Sequence, residues 1–460
     1  MNRERVAWII SVVLISLLAF QFQGTFAHRD DDYAFVRALV DINRQVSAHY
    51  VDPVDDEKLR QGAIDGMLEQ LDPFSVYVPP KRQEEFDRML EGTFKGVGIQ
   101  LDQEDDGDIR VISPIDGSPA FKAGVLAGDI ILRVNGQDVK GMKLKDVIAM
   151  IAAGPLEVRM RVRHETGEEV DLPPMTRQEI VLPTVKGYRR KPDSTWDYWA
   201  VSDPKIAYVR ITQFTPETHD KLRPVLEGLL KDGMKGLILD LRFNPGGRLD
   251  QAEKVVDLFL TEGGIVVTKG RNRPEDIARA TLADTLPDFP MVVLVNEHSA
   301  SASEIVAGSL MDNQRALVLG ARTYGKGSVQ EVIPLDGRTG GELKLTVAYY
   351  YLPSGRLVHK KKDATDWGVE PQITIPMDPA AQKRLVQSQG DAYVIGRTPP
   401  RTQPTTSPAT TQPTTRPAGP VDPQLDAAVS TLIGHIVLRG KGQTVKLAPP
   451  ATAPATQPAA

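Results

Sequence analysis

An α/β core preceded by a helical region and a small strand-rich module is the fold class this sequence predicts, and three observations predict it. Between about residues 30 and 90, apolar residues recur at helical spacing, as in Phe35, Leu39, Ile42 and Val46, then Leu59, Ile64, Met67 and Leu68. From 91 to 180 short alternating strands such as DIRVISP and GDIILRVNGQDV are broken by Gly and Asp. From 181 to 380 apolar strands alternate with helices, which is the pattern of an α/β core.

The order along the chain begins with Arg3 and Arg5, an apolar run from Val6 to Phe20 and a stretch of small residues ending at Ala27. That is the layout of a secretory leader (residues 1–27), with an uncleaved anchor as the alternative, and either one exports the rest to the periplasm or cell envelope. The helical region, 30–90, closes in a turn at LDPFSVYVPP. The strand-rich module, 91–180, contains one helix near Leu144 to Ala152. In the 181–380 core the strands are KIAYVRITQF, GLILDLR, MVVLVN and RALVLG, with helices through Leu222 to Leu230 and Ala252 to Leu260. The Pro/Thr-rich stretch 396–422 and the tail 447–460 cannot bury a core and read as extended linkers. Between them an amphipathic helix, 423–446, presents Leu425, Ala428, Leu432 and Ile433 on one face.

Composition removes several classes of function. The chain has 460 residues, more than one core of about 100–200 residues needs. A net charge of −5 argues against a broad nucleic-acid surface. The absence of cysteine excludes disulfides, thiolate zinc sites and a cysteine nucleophile together.

In open α/β sheets the loops leaving the carboxyl ends of strands carry the chemistry. Three loops qualify: DLRFNPGG after GLIL, NEHSASASEI after MVVLV, and ARTYGKGSVQ after ALVLG. In the second, Ser299, Ser301 and Ser303 all stand at the start of a helix, where amides and the macrodipole favour developing negative charge. Ser301-Ala302-Ser303-Glu304 also fits an S-x-x-E capping box, so a plain cap competes with a nucleophile. In the third loop Lys326 lies between Gly325 and Gly327, and a desolvated lysine can act as a general base toward a hydroxyl. Gln330 could hold that amine without adding charge, and Gly246-Gly247 could turn backbone amides toward an oxyanion. GARTYGKG resembles a phosphate-binding loop, but Gly327 stands where a magnesium-binding hydroxyl is needed. His298, three residues before Ser301, invites a triad with Asp240, but so short a spacing does not decide geometry, such triads are recognised by spatial roles, and a loop histidine with no special task is the competing reading.

Together these loops resemble the carboxyl-terminal processing (tail-specific) proteases, PDZ-containing serine-lysine peptidases, through DLRFNPGG at 240–247, SASASEI at 299–305 and RTYGKGSVQ at 322–330. The resemblance also takes in YVDPVDDEKLRQGAIDGMLEQLDPFSVY and the 91–180 module. It implies a crotonase-like α/β protease core with a helical amino-terminal cap and an inserted PDZ-like domain. It further implies Ser301 as nucleophile, Lys326 as base, Gln330 as its assistant and Gly247 and Ala302 as oxyanion amides, with no metal or organic cofactor. In the PDZ-like part, Gly96, Val97, Gly98 and Ile99 correspond to the carboxylate-binding loop, with Val147 to Ile151 on the other side and the next strand pairing with the substrate. Partners would be proteins or peptides with unstructured carboxyl termini and no nucleic acid; a membrane tether and a homo-oligomer stay open. The chain departs from the family in Glu297 and His298 beside the nucleophile and in AGPLEVRM around Gly154. The other functional reading is an inactive PDZ scaffold at the envelope, against which the presence of all three reactive positions speaks.

Overall fold

The structure is a computed structural model that describes residues 34, 36–103, 107–115, 117–191, 195–335, 340–391, 422–441 and 443. The proposed leader, the tail from 447 and the linker up to residue 421 lie outside the described residues. Among the described residues no helix is long and apolar enough to cross a membrane. The chain forms two units, one ending at Tyr77 and including Leu343–Leu345, the other containing the remainder. In the first, residues 36–49 and Asp56–Glu69 are helices, the second capped by Asp55, whose carboxylate accepts the Glu57 and Lys58 amides.

The second unit begins with a helix, Pro80–Glu91, stopped by Gly92 in the left-handed conformation at φ 69°. Its strand-rich part is a sheet in the order β1 (Ile99–Gln103), β2 (Ile109–Pro114), β3 (Ile130–Val134), β4 (Met160–Arg163) and β5 (Glu169–Asp171). Helix α1 (Leu144–Ala153) closes this sheet by burying Val147 and Ile151 with Val111, Val134 and Val162. One edge of β1 is left unpaired among the described residues. The ladder of Thr93–Gly96 with Gln178–Val181 leads into and out of the module, a separate two-stranded sheet rather than part of the larger one.

The core sheet places β6 (Lys205–Ile211), β7 (Gly236–Asp240), β8 (Met291–Val295) and β9 (Leu317–Gly320) side by side and parallel. Buried on both faces, these strands read as unbroken apolar runs. Alternate residues serve opposite faces. Val209, Leu237, Leu239 and Val293 meet helices α2 (Leu249–Asp257) and α3 (Ala302–Asp312) through Val255, Val256, Ile305 and Val306. Ile206, Tyr208, Ile238, Val292 and Leu294 meet α4 (Pro423–Gly440) through Ala428 and Leu432. The last helix thus docks on the sheet, and it ends at Gly440.

A buried ion cluster fixes α4 to the strand ends. Arg242, fully buried, donates from Nη2 to Asp240 Oδ2 at 2.6 Å and to Asp422 Oδ2 at 2.8 Å, and from Nη1 to Asp422 Oδ1 at 2.7 Å. Tyr208 donates to Asp240 at 2.6 Å, and Asp422 caps α4 by accepting the Leu425 amide. Burial alone would raise the Asp240 carboxyl, but the adjoining Arg242 guanidinium holds it below its ordinary range.

Arg242→Ala leaves Asp240 buried without its partner and is expected to reduce the unfolding free energy by about 3–5 kcal/mol, read from urea unfolding. Since the folded Asp240 value is depressed, its contribution is present at neutral pH and is lost as pH falls through that folded value. The difference between wild type and variant should therefore shrink on acidification.

Candidate active site

All three loops named above leave the carboxyl ends of adjacent parallel strands: Leu241–Gly247 after β7, Asn296–Ser301 after β8 and Ala321–Gly327 after β9. The first two are laced together by Asn244, which is fully buried. Its side chain donates to the Ile211 carbonyl and accepts the Gly246 amide, both at 2.9 Å. Its own carbonyl accepts the Ala300 amide at 3.0 Å and the Ser303 hydroxyl at 3.0 Å.

This lacing separates the three serines. Ser303 spends its hydroxyl on Asn244, and Ser299, also fully buried, donates to the Leu241 carbonyl at 2.8 Å while accepting the Asn296 amide. Ser301 alone of the three is partly exposed. Its backbone is held at φ 55° and ψ −116°, a conformation unfavourable by about 1–3 kcal/mol for a residue with a side chain. A sharp turn of that kind between a strand and a helix lifts a hydroxyl off the sheet.

Beside it runs the glycine pair. Gly246 and Gly247 have φ of 100° and 141°. A Cβ on Gly246 would lie 2.7 Å from the Ala300 carbonyl oxygen, 2.7 Å from Ser301 Cβ and 3.0 Å from the Ala302 nitrogen. One on Gly247 would lie 2.1 Å from the Phe214 oxygen. Glycine is therefore required at both. The neighbouring amides are engaged: Gly246 by Asn244, Ser301 by Glu304, Ser303 by Ala300. Among the described residues the Gly247 and Ala302 amides have no protein acceptor. Ala302 opens α3, so its free N–H also stands at the positive end of a helix.

The lysine loop is joined to the serine loop through Glu304, a residue read from the sequence only as a capping partner. Its carboxylate is 0% exposed. Oε2 accepts the amides of Ser301 and Lys326, each at 2.8 Å. Oε1 accepts the Gly325 amide at 2.7 Å and the Thr323 hydroxyl at 2.5 Å. Burial raises the Glu304 carboxyl above its ordinary value, opposed by those donors. Buried Tyr350 completes the join from the other side, its hydroxyl lying 3.1 Å from the Ser301 carbonyl and hydrogen-bonded to that of Lys326. Nothing in the sequence marked Tyr350, which comes 49 residues after Ser301.

Lys326 itself is half-buried. Its flanking glycines permit close approach of the 358–367 segment: Lys360 donates its amide to the Gly325 carbonyl at 2.8 Å, and a Cβ on Gly327 would lie 2.4 Å from the His359 nitrogen. Gln330 lies on the following strand, Ser328–Pro334, with its amide nitrogen 2.8 Å from the Ser328 hydroxyl and 3.3 Å from that of Thr346. His298 stacks on Phe243 with ring centres 5.5 Å apart, while Asp240 is committed to Arg242, so the two do not form a relay. The Gly96–Ile99 turn is anchored elsewhere. Val97 and Gly98 offer their carbonyls to the Ala120 and Ile115 amides at 2.9 Å, and Gly98, at φ 82°, leaves no room for a Cβ beside Ser118. Strand β1 with its open edge follows directly.

Residues 205–375 match the family model described as peptidase family S41, residues 110–164 a PDZ domain, and residues 29–81 the amino-terminal domain of the activating protease CtpB. Over 385 residues, 82% of this chain and 83% of the relative, there is 37% identity to the carboxy-terminal-processing protease of Bartonella bacilliformis. Over 332 residues, 72% of this chain and 66% of the relative, there is 36% identity to the carboxy-terminal processing protease CtpA of Bacillus subtilis. A solved structure of a photosystem II D1 C-terminal processing protease is 29% identical, with 74% of this chain and 92% of that one covered and a TM-score of 0.41.

Gly246→Ala forces a methyl group between the Ser301 elbow and the Ala302 amide. The variant is expected to fold, by circular dichroism, and to lose at least about 100-fold in turnover of a peptide substrate, since displacements near 1 Å cost that much.

Proposed function

This chain belongs to peptidase family S41, among the carboxy-terminal processing proteases, and from that premise we propose that it is an endopeptidase cleaving proteins near their carboxyl termini through a Ser301–Lys326 dyad. The shared acceptor Glu304 Oε2 carries the reading. Both catalytic backbones hydrogen-bond to one atom, so their nitrogens are no farther apart than the sum of two hydrogen bonds.

In the proposed cycle Lys326, as a neutral amine, takes the Ser301 hydroxyl proton while the oxygen attacks the scissile carbonyl. The negative charge that develops on the carbonyl oxygen is received by the Gly247 and Ala302 amides, which have no other acceptor among the described residues. The ammonium returns its proton to the departing amine, leaving an acyl-enzyme on Ser301. A water, deprotonated by the same amine, then releases the new carboxyl terminus. Gln330 assists by holding the lysine chain without contributing a charge that would fix it as ammonium. The substrate tail is proposed to add to the open edge of β1, its carboxylate received by the Gly96–Ile99 turn beside α1. The basic and apolar segment before Ala27 supports action outside the cytosol, in the periplasm or envelope.

Incubation of the full-length chain with an unfolded, apolar-tailed protein tests the reading. Cleavage is expected, with Ser301→Ala and Lys326→Ala each slower by at least about 1000-fold and His298→Ala retaining activity. Mass spectrometry of the quenched reaction should find the acyl group on Ser301. Robust cleavage by Ser301→Ala, or loss of cleavage in His298→Ala, would overturn the dyad. Amidating the carboxyl terminus of a peptide ligand should weaken its binding by tenfold or more, about 1.4 kcal/mol, and equal binding would remove the tail-recognition role.

A further inference from the structure

A nucleophile and a base carried by two loops, after two different strands, must be held in register by something other than either loop. Two buried side chains span the gap. Glu304 Oε2 receives the amide hydrogens of Ser301 and Lys326 at 2.8 Å each, and Oε1 adds Gly325 and Thr323. Tyr350, on the strand Glu342–Tyr351, brings its hydroxyl to the carbonyl oxygens of the same two residues. The amide and the carbonyl of each catalytic residue are therefore tied to a common partner on either side.

We infer that Glu304 and Tyr350 are positioning residues that fix the distance between Ser301 and Lys326, and that Glu304 also keeps the Ser301 amide out of the oxyanion site. The inference rests on the Ser301–Lys326 reading and deepens it. Several observations separate it from ordinary capping. A cap needs one hydrogen bond to its own helix, whereas Glu304 makes three of its four outside that helix and its flanking serine, to residues 323, 325 and 326. The carboxylate accepts at all four contacts, so a side chain that also donates cannot replace it. The Ser301 amide points to Glu304, which leaves Gly247 and Ala302 as the amides open to an anion among the described residues of this turn. Tyr350 serves as donor because its hydroxyl faces two carbonyl oxygens, and burial, then the neighbouring Glu304 carboxylate, also push its phenol well above the ordinary value.

Glu304→Gln keeps the shape but turns an NH2 group toward backbone N–H groups that it cannot accept, and Tyr350→Phe deletes a single hydroxyl. Both are to be made in the full-length chain, with active sites counted by the acylation burst and kcat expressed per titrated site. For Glu304→Gln, kcat is expected to fall about 100-fold with KM within about twofold, because the misplacement acts on the reacting pair and not on the substrate. For Tyr350→Phe the fall expected is about tenfold. A structural role alone would lower the melting temperature and the titrated fraction while leaving kcat per site unchanged, and that result overturns the inference. Should Glu304→Gln fail to fold, Tyr350→Phe decides the question by the same measure. Ser301→Ala and Lys326→Ala are run in parallel: if both are inactive and the positioning variants turn over at the wild-type rate per site, the clamp falls and the dyad stands. If Ser301→Ala cleaves, the dyad itself has failed.

Discussion

A carboxylate taken out of water is unfavourable by several kcal/mol unless its oxygens are fully hydrogen-bonded, and Glu304 has no exposure to water at all. What makes the position tolerable is that four donors converge on it from three places in the chain: the Ser301 turn, the Thr323 hydroxyl and the Gly325-Lys326 peptide. Each hydrogen bond to a charged group contributes about 1.5–3 kcal/mol, so the cost is offset only while both loops are in place. The coupling runs in both directions. The loops shield and satisfy the charge, and the charge holds the loops, so the strained Ser301 elbow persists through hydrogen bonds that belong to another strand's loop.

The same device recurs at the ends of β7 and α4. Asp240, Arg242 and Asp422 bury charges where the closing helix meets the sheet, and Tyr208 and Gln424 satisfy what the ion pairs leave over. Such a cluster adds little to stability compared with a well-packed apolar core, but it is intolerant of misalignment. It determines where α4 sits on Ile238, Val292 and Leu294 and, through residues 240–242, where the Asn244-Gly246-Gly247 turn begins. From there Asn244 passes the constraint to the serine turn by accepting from both Ala300 and Ser303.

Much of this was legible in the sequence because the signals were local. Apolar runs such as GLILD and MVVLV announce strands buried on both faces, and the loops after them were identifiable by position alone. Gly246 and Gly247 could be read as a turn exposing amides, and Gly325 and Gly327 as a place where backbones approach closely, which His359 and Lys360 now do. Other features escaped because their partners are far away along the chain. The residues alone could not choose among Ser299, Ser301 and Ser303, since the choice depends on Leu241 and Asn244 consuming the outer two hydroxyls. Glu304 looked like a cap because its nearest donor, the Ser301 amide, is what an S-x-x-E motif predicts, and its bonds to residues 323–326 have no periodicity to betray them. Tyr350 sits in a strand whose alternation says that it is buried but not what its hydroxyl faces. The separate ladder between Thr93–Gly96 and Gln178–Val181 was likewise hidden, since pairing across more than 80 residues leaves no trace in either short segment.

Two electrostatic requirements pull against each other at this site. In the dyad we propose, Lys326 has to be an uncharged amine, yet a buried carboxylate lies one hydrogen bond from its backbone, and a nearby negative charge favours the ammonium form. The directions of the hydrogen bonds resolve the conflict. The Glu304 contacts to Ser301, Thr323, Gly325 and Lys326 are all to N–H or O–H donors, at the amino terminus of α3, and the neighbouring phenol is Tyr350, so peptide dipoles, hydroxyls and a helix end compensate the charge. Compensation by dipoles leaves a smaller residual field at a side chain than an unsolvated carboxylate would exert. A glutamate enclosed by amides is therefore compatible with a neutral lysine as the proposed base.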